Sequence, residues 1–217
     1  MPLILGVTGT IASGKSSLCR YLAERYGAVH ADADAVVHGL YAPGTLGFGR
    51  VVAEFGSDIV GPDGAVDRKI LGARVFGRPE RMEALRRAIG DLPPVFFGLI
   101  DSWRRDLGPG GVAILEAINL ISGGYAARCD ANWIVVTTPE TARRRLMERN
   151  RLSAEDARAR IDHQGDWSDR LAVCDRVFHN DAGLAAFLAE IDAAFAEARR
   201  AYREGTVPPP HAAVPAG

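Results

Sequence analysis

The segment from Gly9 to Ser16 constrains the fold more than any other part of the chain, because it reads Gly-Thr-Ile-Ala-Ser-Gly-Lys-Ser. It follows a short aliphatic run, Leu3 to Val7, of the kind that forms a buried parallel strand. Apolar residues at helical spacing follow between Ser17 and Ala23. A strand, a glycine-rich turn and a helix in this order are the setting in which a G-x-x-x-x-G-K-S pattern binds nucleotide phosphates. The sequence therefore predicts that this turn holds a nucleoside triphosphate.

Each residue type in this phosphate-binding loop (Gly9–Ser16) has a physical reason to be there. Glycines let the backbone wrap closely around an anion, and the amides and the helix N-terminus supply positive dipole. Lysine occurs only twice among the 26 basic residues, at Lys15 and Lys69, so Lys15 indicates a specific need for a compact ammonium group that reaches the outer phosphates. We expect magnesium on the Ser16 hydroxyl. We expect the nucleotide to contact Thr10, Ile11, Ala12, Ser13, Gly14, Lys15, Ser16 and Ser17.

Composition limits the classes of protein that remain. A length of 217 residues and a hydrophobic content of 47% allow one domain with a subdomain or lid. The net charge of −1 disfavours a general nucleic-acid binder, which would carry a basic excess. No apolar run is long enough to span a membrane, we expect no signal peptide, and Cys19, Cys129 and Cys174 fit reduced core thiols. We therefore expect a cytoplasmic protein without a nucleic-acid or membrane partner.

Five short apolar runs are separated by helical patterns, which predicts an α/β fold with a five-stranded parallel sheet flanked by helices. The predicted strands are Leu3–Val7, Ala28–Ala31, Val112–Leu115, Trp133–Thr137 and Arg176–His179. Pro139-Glu140 predicts a helix start, and Ser153 to Asp156 predicts a helix cap. Pro93-Pro94 predicts a break before a helix at about 95–106.

The same patterns divide the chain into one domain over residues 1–204, with three parts. The predicted strands lie in a core of about 1–37, 108–139 and 174–204, and a mostly helical block of about 38–107 stands off the sheet. An arginine-rich helical lid covers about 140–173. The proline-rich tail, 205–217, has little to bury, so we expect it to be disordered.

The sequence also separates kinases from nucleotide switches. Guanine-nucleotide switches need an N-K-x-D element after a late strand, whereas here the late strands end in Thr137-Thr138-Pro139-Glu140 and His179-Asn180-Asp181. The lid instead contains a dense set of arginines, at positions 143, 144, 145, 149, 151, 158 and 160. Arg145 and Arg149 lie one helical turn apart and share a face. Small phosphotransfer kinases close such a lid over the nucleotide and spread positive charge around the transferred phosphoryl group.

Further motifs, in order along the chain, are similar to those of the dephospho-coenzyme A kinases. The resemblance covers residues 3 to about 200 and begins with the phosphate-binding loop. It continues through Asp32-Ala33-Asp34, Asp67-Arg68 with Leu71 and Val75-Phe76, Leu115-Glu116-Ala117, Arg145-Leu146-Met147-Glu148-Arg149, Arg160-Ile161 with Gln164, and Cys174-Asp175-Arg176-Val177 with Asn180. The chain differs from the usual family pattern at Thr10 and Ala12, where the family has glycine. It also differs at Leu92-Pro93 and Phe96, where the family has a His-Pro pair and a basic residue.

The resemblance implies a P-loop NTPase fold in three parts: a nucleotide core, a helical substrate subdomain at about 38–107 and a lid at about 140–173. It also implies ATP-dependent phosphorylation of the ribose 3′-hydroxyl of dephospho-coenzyme A. This reaction is the last step of coenzyme A synthesis. ATP is then the phosphoryl donor, Mg²⁺ the metal and dephospho-coenzyme A the partner, and a monomer is the favoured state. The alternatives are another small-molecule or nucleoside kinase, favoured by the departure at Leu92-Pro93, and a nucleotide-binding regulator without phosphotransfer.

The resemblance also implies roles for individual residues. Asp34 matches the carboxylate that accepts the proton of the attacking hydroxyl, and it follows the strand that we expect next to the phosphate-binding loop. With Lys15 and Arg149 it completes the candidate catalytic set. We interpret Asp32 as a helix cap or an indirect magnesium contact, and Glu116 as an acidic residue near magnesium or substrate. Asn180 matches a position near the adenine, with a simple turn asparagine as the alternative, and Gln164 matches a lid contact. We interpret His30, His38, His163 and His179 as structural.

Overall fold

The computed structural model describes residues 1–165 and 167–206, so the predicted disorder of the tail beyond Thr206 lies outside the described residues. Five strands form one sheet, and their order is β2-β3-β1-β4-β5. The strands are β1 (Leu3–Gly9), β2 (Val29–Asp32), β3 (Val112–Glu116), β4 (Ala131–Val136) and β5 (Arg176–His179). The sheet is parallel, and Val7 of β1 stands opposite Glu116 of β3 and Trp133 of β4. The predicted α/β fold with five parallel strands is therefore confirmed.

One feature of the sheet corrects the sequence interpretation. We expected the second strand to lie next to β1, but β3 lies between β2 and β1 and forms hydrogen bonds with both. The phosphate-binding loop follows β1, and Glu116 is the last residue of β3. Since parallel strands end at the same edge, the loop and Glu116 lie at the carboxyl edge of the sheet, where ligands bind in open α/β folds.

The chain divides into two compact units, and the first comprises Met1–Ala31 together with the chain from Phe97 onward. Its core packs the helices α1 (Lys15–Tyr26) and α10 (Leu184–Glu204) against the sheet. Further along the chain lie α7 (Pro139–Asn150), α8 (Ala154–Asp162) and the short α9 (Ser168–Leu171). The core residues contributed by the strands and the two helices include Leu5, Val7, Ile114, Trp133, Leu18, Leu22, Phe187 and Ile191.

The second unit, Asp32–Phe96, is built from helices and has its own apolar core. Its helices are α2 (Ala33–Leu40), α3 (Leu46–Phe55), α4 (Arg68–Val75) and α5 (Pro79–Ile89). Thr45 caps α3 by accepting from the Phe48 amide, and Asp67 caps α4 by accepting from the amides of Lys69 and Ile70. The core contains Val51, Phe55, Ile59, Leu71, Val75 and Ala84.

The predicted helix starts are confirmed at two places and wrong at a third. Thr138 caps α7 directly before Pro139, and Ser153 caps α8 by accepting from the Asp156 amide. The helix α6 spans Leu92–Asp106, so it begins before Pro93-Pro94 rather than after them. Proline is tolerated in the first turn because the amides of that turn have no intrahelical acceptor.

None of the helices in the described part of the chain combines the length and apolarity that a bilayer crossing requires.

Candidate active site

The phosphate-binding loop is held tightly against the strands behind it. The Thr10 amide donates to the Val135 carbonyl at 2.9 Å, and the Ser13 amide donates to the Thr10 carbonyl at 3.2 Å. A Cβ at Gly9 would meet the Val135 carbonyl oxygen at 2.4 Å, so only glycine fits there. Gly14 has a φ of 102°, which L side chains rarely adopt, and a Cβ there would overlap the Asn180 side chain.

Ala12 adopts a backbone conformation that usually favours glycine. Its φ is 55°, in the left-handed region. A residue with a Cβ is less stable in this conformation by roughly 1–2 kcal/mol. The Arg145 guanidinium donates to the Ala12 carbonyl at 3.2 Å, which helps to hold the loop in this conformation.

Glu116 is the buried centre of the site. Its side chain is 2% exposed, its Oε1 lies 2.8 Å from the Lys15 ammonium, and Oε1 also accepts from the Ser16 hydroxyl at 2.5 Å. Its Oε2 lies 2.9 Å from His30 Nε2. Burial alone raises the pKa of Glu116, but the hydrogen bond from His30 and the charge and hydrogen bond of Lys15 outweigh burial and lower that pKa to about 2. Glu116 is therefore ionised at neutral pH.

The oxygen donors beside Lys15 fit a magnesium ion. Mg²⁺ prefers carboxylate, hydroxyl, water and phosphate oxygens. The Ser16 hydroxyl and the Glu116 carboxylate are 2.5 Å apart, so a hydroxyl ligand and an anionic carboxylate are available together. The Ser16 hydroxyl is the expected magnesium ligand, and Glu116 lies close enough to act on such an ion indirectly.

Three side chains reach the loop from later parts of the chain. Arg145 of α7 donates to the carbonyls of Ala12 and Ser13, both at 3.2 Å, and to the Asn180 carbonyl at 2.8 Å. The buried Asn180 side chain donates to the Ser13 carbonyl at 2.7 Å. Gln164, after α8, accepts from the Ile11 amide at 2.6 Å. These contacts fix the outer side of the loop.

A cavity of about 500 Å³ opens between the loop, α7 and the start of α10. Cavities of this size hold small organic ligands. Arg149 lines it, and the guanidinium of this residue also donates to the Asn150 side chain. The lining comprises Ala12, Gly14, Ser17, Arg145, Glu148, Arg149, Asn180, Leu184 and Phe187.

The two aspartates after β2 have different local roles. Asp32 caps α2, because its Oδ1 accepts from the Asp34 amide at 2.9 Å. This is the capping role that was one of the two interpretations of Asp32. Asp34 lies in the first turn of α2 and contributes its amide, not its carboxylate, to that capping bond. Both belong to the helical unit, whereas Lys15, Ser16, Glu116 and Asn180 come together in the sheet unit.

Sequence reasoning missed Leu184 and Phe187 of the cavity wall, and it missed the roles of two polar residues of the site. His30, interpreted as structural, contacts Glu116, and Arg145, grouped with the other lid arginines, holds the loop carbonyls. His30 lies on β2 two residues before Asp32, and Arg145 shares a helical face with Arg149. In the sequence, the available signal was that His30 lies close to Asp32 and Arg145 close to Arg149.

Comparisons with known proteins agree on one family. The family model described as dephospho-CoA kinase matches residues 3–186. A curated dephospho-CoA kinase from Symbiobacterium thermophilum is 38% identical over 195 residues, covering 88% of this chain and 80% of the relative. One from Geobacter sulfurreducens is 40% identical over 182 residues, covering 82% and 89%.

A solved structure has the same fold over most of the chain. The crystal structure of TT1252 from Thermus thermophilus has a TM-score of 0.71 and 29% identity, and it covers 90% of this chain and 97% of that one. The fold is that of the P-loop kinases. The chain therefore belongs to the dephospho-CoA kinase family.

Proposed function

We propose that this chain transfers the γ-phosphoryl group of ATP to the ribose 3′-hydroxyl of dephospho-CoA, giving CoA and ADP in the final step of CoA biosynthesis. Membership of the kinase family supports this reaction and ATP as its donor. The observation that carries the proposal is the arrangement around Glu116, which holds the Lys15 ammonium and the Ser16 hydroxyl together beside the phosphate-binding loop.

Nucleotide binding uses the loop and its cation. Loop amides and the N-terminus of α1 face the β-phosphate and γ-phosphate, and Lys15 exchanges Glu116 for the phosphate oxygens. The Ser16 hydroxyl would hold a magnesium ion, with Glu116 acting on it indirectly, and the ion would supply positive charge to the phosphates. Asn180 and the cavity beyond Gly14 receive the adenosine part of ATP.

Phosphoryl transfer needs an activated hydroxyl and positive charge on the moving group. Asp34 accepts the proton of the ribose 3′-hydroxyl as the bond to phosphorus forms, which contributes on the order of 10²–10⁴ in rate for a positioned base. Arg149, which lines the cavity, places its guanidinium against the transferred phosphoryl oxygens when the lid of about 140–173 closes. Closure of the lid excludes water, and the charge stabilises the loose transition state.

A coupled assay with ATP, magnesium and purified dephospho-CoA tests the proposal. ADP formation should depend on the acceptor, and mass spectrometry should find the new phosphate on the 3′ position. ATP hydrolysis that is unchanged by dephospho-CoA would overturn the proposed reaction.

A second candidate is another small-molecule kinase on the same scaffold. Phe96 stands where the family has a basic residue, and it is 1% exposed, so it packs in the interior and offers no charge to an acceptor. A panel of nucleosides and phosphorylated alcohols, assayed beside dephospho-CoA, separates the two candidates. Turnover with a nucleoside and none with dephospho-CoA would establish the second.

The oligomeric state, location and partners of the enzyme are further parts of the proposed function. We infer a cytoplasmic monomer with a helical substrate subdomain at about 38–107. We also infer that it has no nucleic-acid partner, and the net charge of −1 supports this last inference. Sedimentation of the full chain with and without DNA tests both the monomer and the absence of binding.

A further inference from the structure

The two oxygens of Glu116 have separate partners. Lys15 and Ser16 both contact Oε1, whereas His30 Nε2 contacts Oε2 at 2.9 Å. His30 comes from β2, and its side chain is 19% exposed. With Glu116 ionised, the imidazole donates its Nε2 proton to this carboxylate. His30 is thus the contact that fixes Oε2 and, through it, the direction in which Oε1 points.

The need for this contact grows when a nucleotide binds. The proposed function draws Lys15 from Glu116 to the phosphates, and the present inference depends on that function. Glu116 is 2% exposed, and a buried carboxylate that loses its partner costs several kcal/mol. The contact from His30 does not depend on Lys15, so it keeps the carboxylate satisfied and aimed at Ser16 while Lys15 moves.

We propose that His30 is a positioning residue of the nucleotide site, which acts through Glu116. It touches neither substrate nor phosphate. By holding Oε2 it keeps Oε1 in reach of Lys15 and Ser16, so that the cation and the hydroxyl stand ready for ATP and its metal. Loss of the Nε2 donor lets the Glu116 side chain turn and weakens nucleotide binding without removing any group that contacts the nucleotide.

Three substitutions at His30 separate this role from simple packing. The side-chain amide nitrogen of glutamine reaches the place of histidine Nε2, whereas that of asparagine reaches only the place of Nδ1. Leucine supplies bulk without a donor. We expect the dissociation constant for ATP with magnesium to rise about tenfold in His30→Asn and His30→Leu, from the typical cost of a lost bond to a buried charge. His30→Gln should stay within about threefold of the parent.

Equilibrium binding of ATP to the full chain, without acceptor, is the measurement, and thermal unfolding of each variant is followed beside it. His179→Asn is the matched control, because His179 is an exposed residue of β5. A glutamine variant as weak as the leucine variant, or an asparagine variant equal to the parent, overturns the proposal. The acceptor plays no part here, so failure of dephospho-CoA turnover would count against the proposed reaction alone.

A double-mutant cycle tests the route through Glu116. In a Glu116→Leu background, His30→Asn should change the ATP dissociation constant by less than about twofold, because the carboxylate that it positions is gone. Additive effects of the two substitutions would show that His30 acts independently and would overturn the route. The contrast between glutamine and asparagine needs no second substitution, so it decides the proposal even where Glu116→Leu fails to fold.

Discussion

The Nζ atom of Lys15 lies 2.8 Å from Oε1 of Glu116, so the ammonium of the phosphate-binding loop already has an anionic partner before any phosphate arrives. This ion pair holds the lysine side chain near the place where the phosphates bind. It also means that ATP competes with a buried carboxylate for the same cation. Binding is then an exchange of partners at Lys15, and the affinity for ATP depends on both sides of that exchange.

Replacing Lys15 should therefore abolish useful turnover. Lys15→Ala removes the charge that stabilises the phosphates, and losing one such group lowers kcat on the order of 100-fold or more. Steady-state kinetics with ATP and dephospho-CoA measure the loss. Lys69→Ala is the matched control, because Lys69 is the only other lysine of the sequence and is exposed on α4. Equal activity of the two alanine variants would contradict the role of Lys15.

Asp34→Asn tests whether the Asp34 carboxylate accepts the proton of the attacking hydroxyl. Asparagine keeps the shape of the side chain but cannot accept the proton, so kcat should fall on the order of 100-fold. The ATP dissociation constant and the melting temperature should stay near those of the parent. Asp63→Asn, in an exposed turn of the same unit, is the control. Full turnover by Asp34→Asn would remove the assignment of the base while leaving the kinase activity in place.

Local sequence determined the elements and the loop but not how distant elements meet. Bounded aliphatic runs predicted β1, β3 and β4, since burial on both faces of a parallel sheet demands apolar residues. The edge strands β2 and β5 are less buried and were predicted from shorter runs that each contain a histidine. The place of β3 between β1 and β2 was not predictable, because the order of strands depends on where long connections return to the sheet. The helix start at Leu92 was missed, because proline interrupts a helix interior but is accepted in a first turn.

The same limit explains which parts of the site were found. The phosphate-binding loop is one continuous motif, so it was readable from the chain. The contact of His30 with Glu116 joins residues 86 positions apart, and the contact of Arg145 with Ser13 joins residues 132 positions apart. Nothing in the spacing of a sequence encodes such pairs. The first contact follows from the parallel edge at which β2 and β3 end side by side, and the second from the place of α7, which follows β4, the neighbour of β1.

Arg145 and Arg149 should respond differently to the same substitution. Arg145 donates to three backbone carbonyls around the loop, so Arg145→Met should raise the ATP dissociation constant about tenfold and lower the melting temperature. Arg149→Met should lower kcat and leave the melting temperature near that of the parent, because the Arg149 side chain is exposed in the cavity wall.

Arg143→Met, on the exposed part of α7, is the control for both arginines. Calorimetric titration with ATP and thermal unfolding give the two readouts. A fall in melting temperature for Arg149→Met alone would reverse the assignment of the structural and the catalytic arginine.

Acid should remove the stabilisation that Glu116 provides. The pKa of Glu116 is lowered from 4.5 to about 2 in the folded chain. Between these values the unfolded chain binds a proton that the folded chain does not, so this group contributes stability that is complete above about pH 5 and is lost as pH falls toward 2. Glu116→Gln lacks the charge and should be less stable than the parent at pH 7. Urea unfolding of both proteins, at pH values from 7 down to 3, should show the difference narrowing below about pH 4.5. A difference that stays constant over this range would mean that the Glu116 carboxylate is not held by Lys15 and His30 in solution.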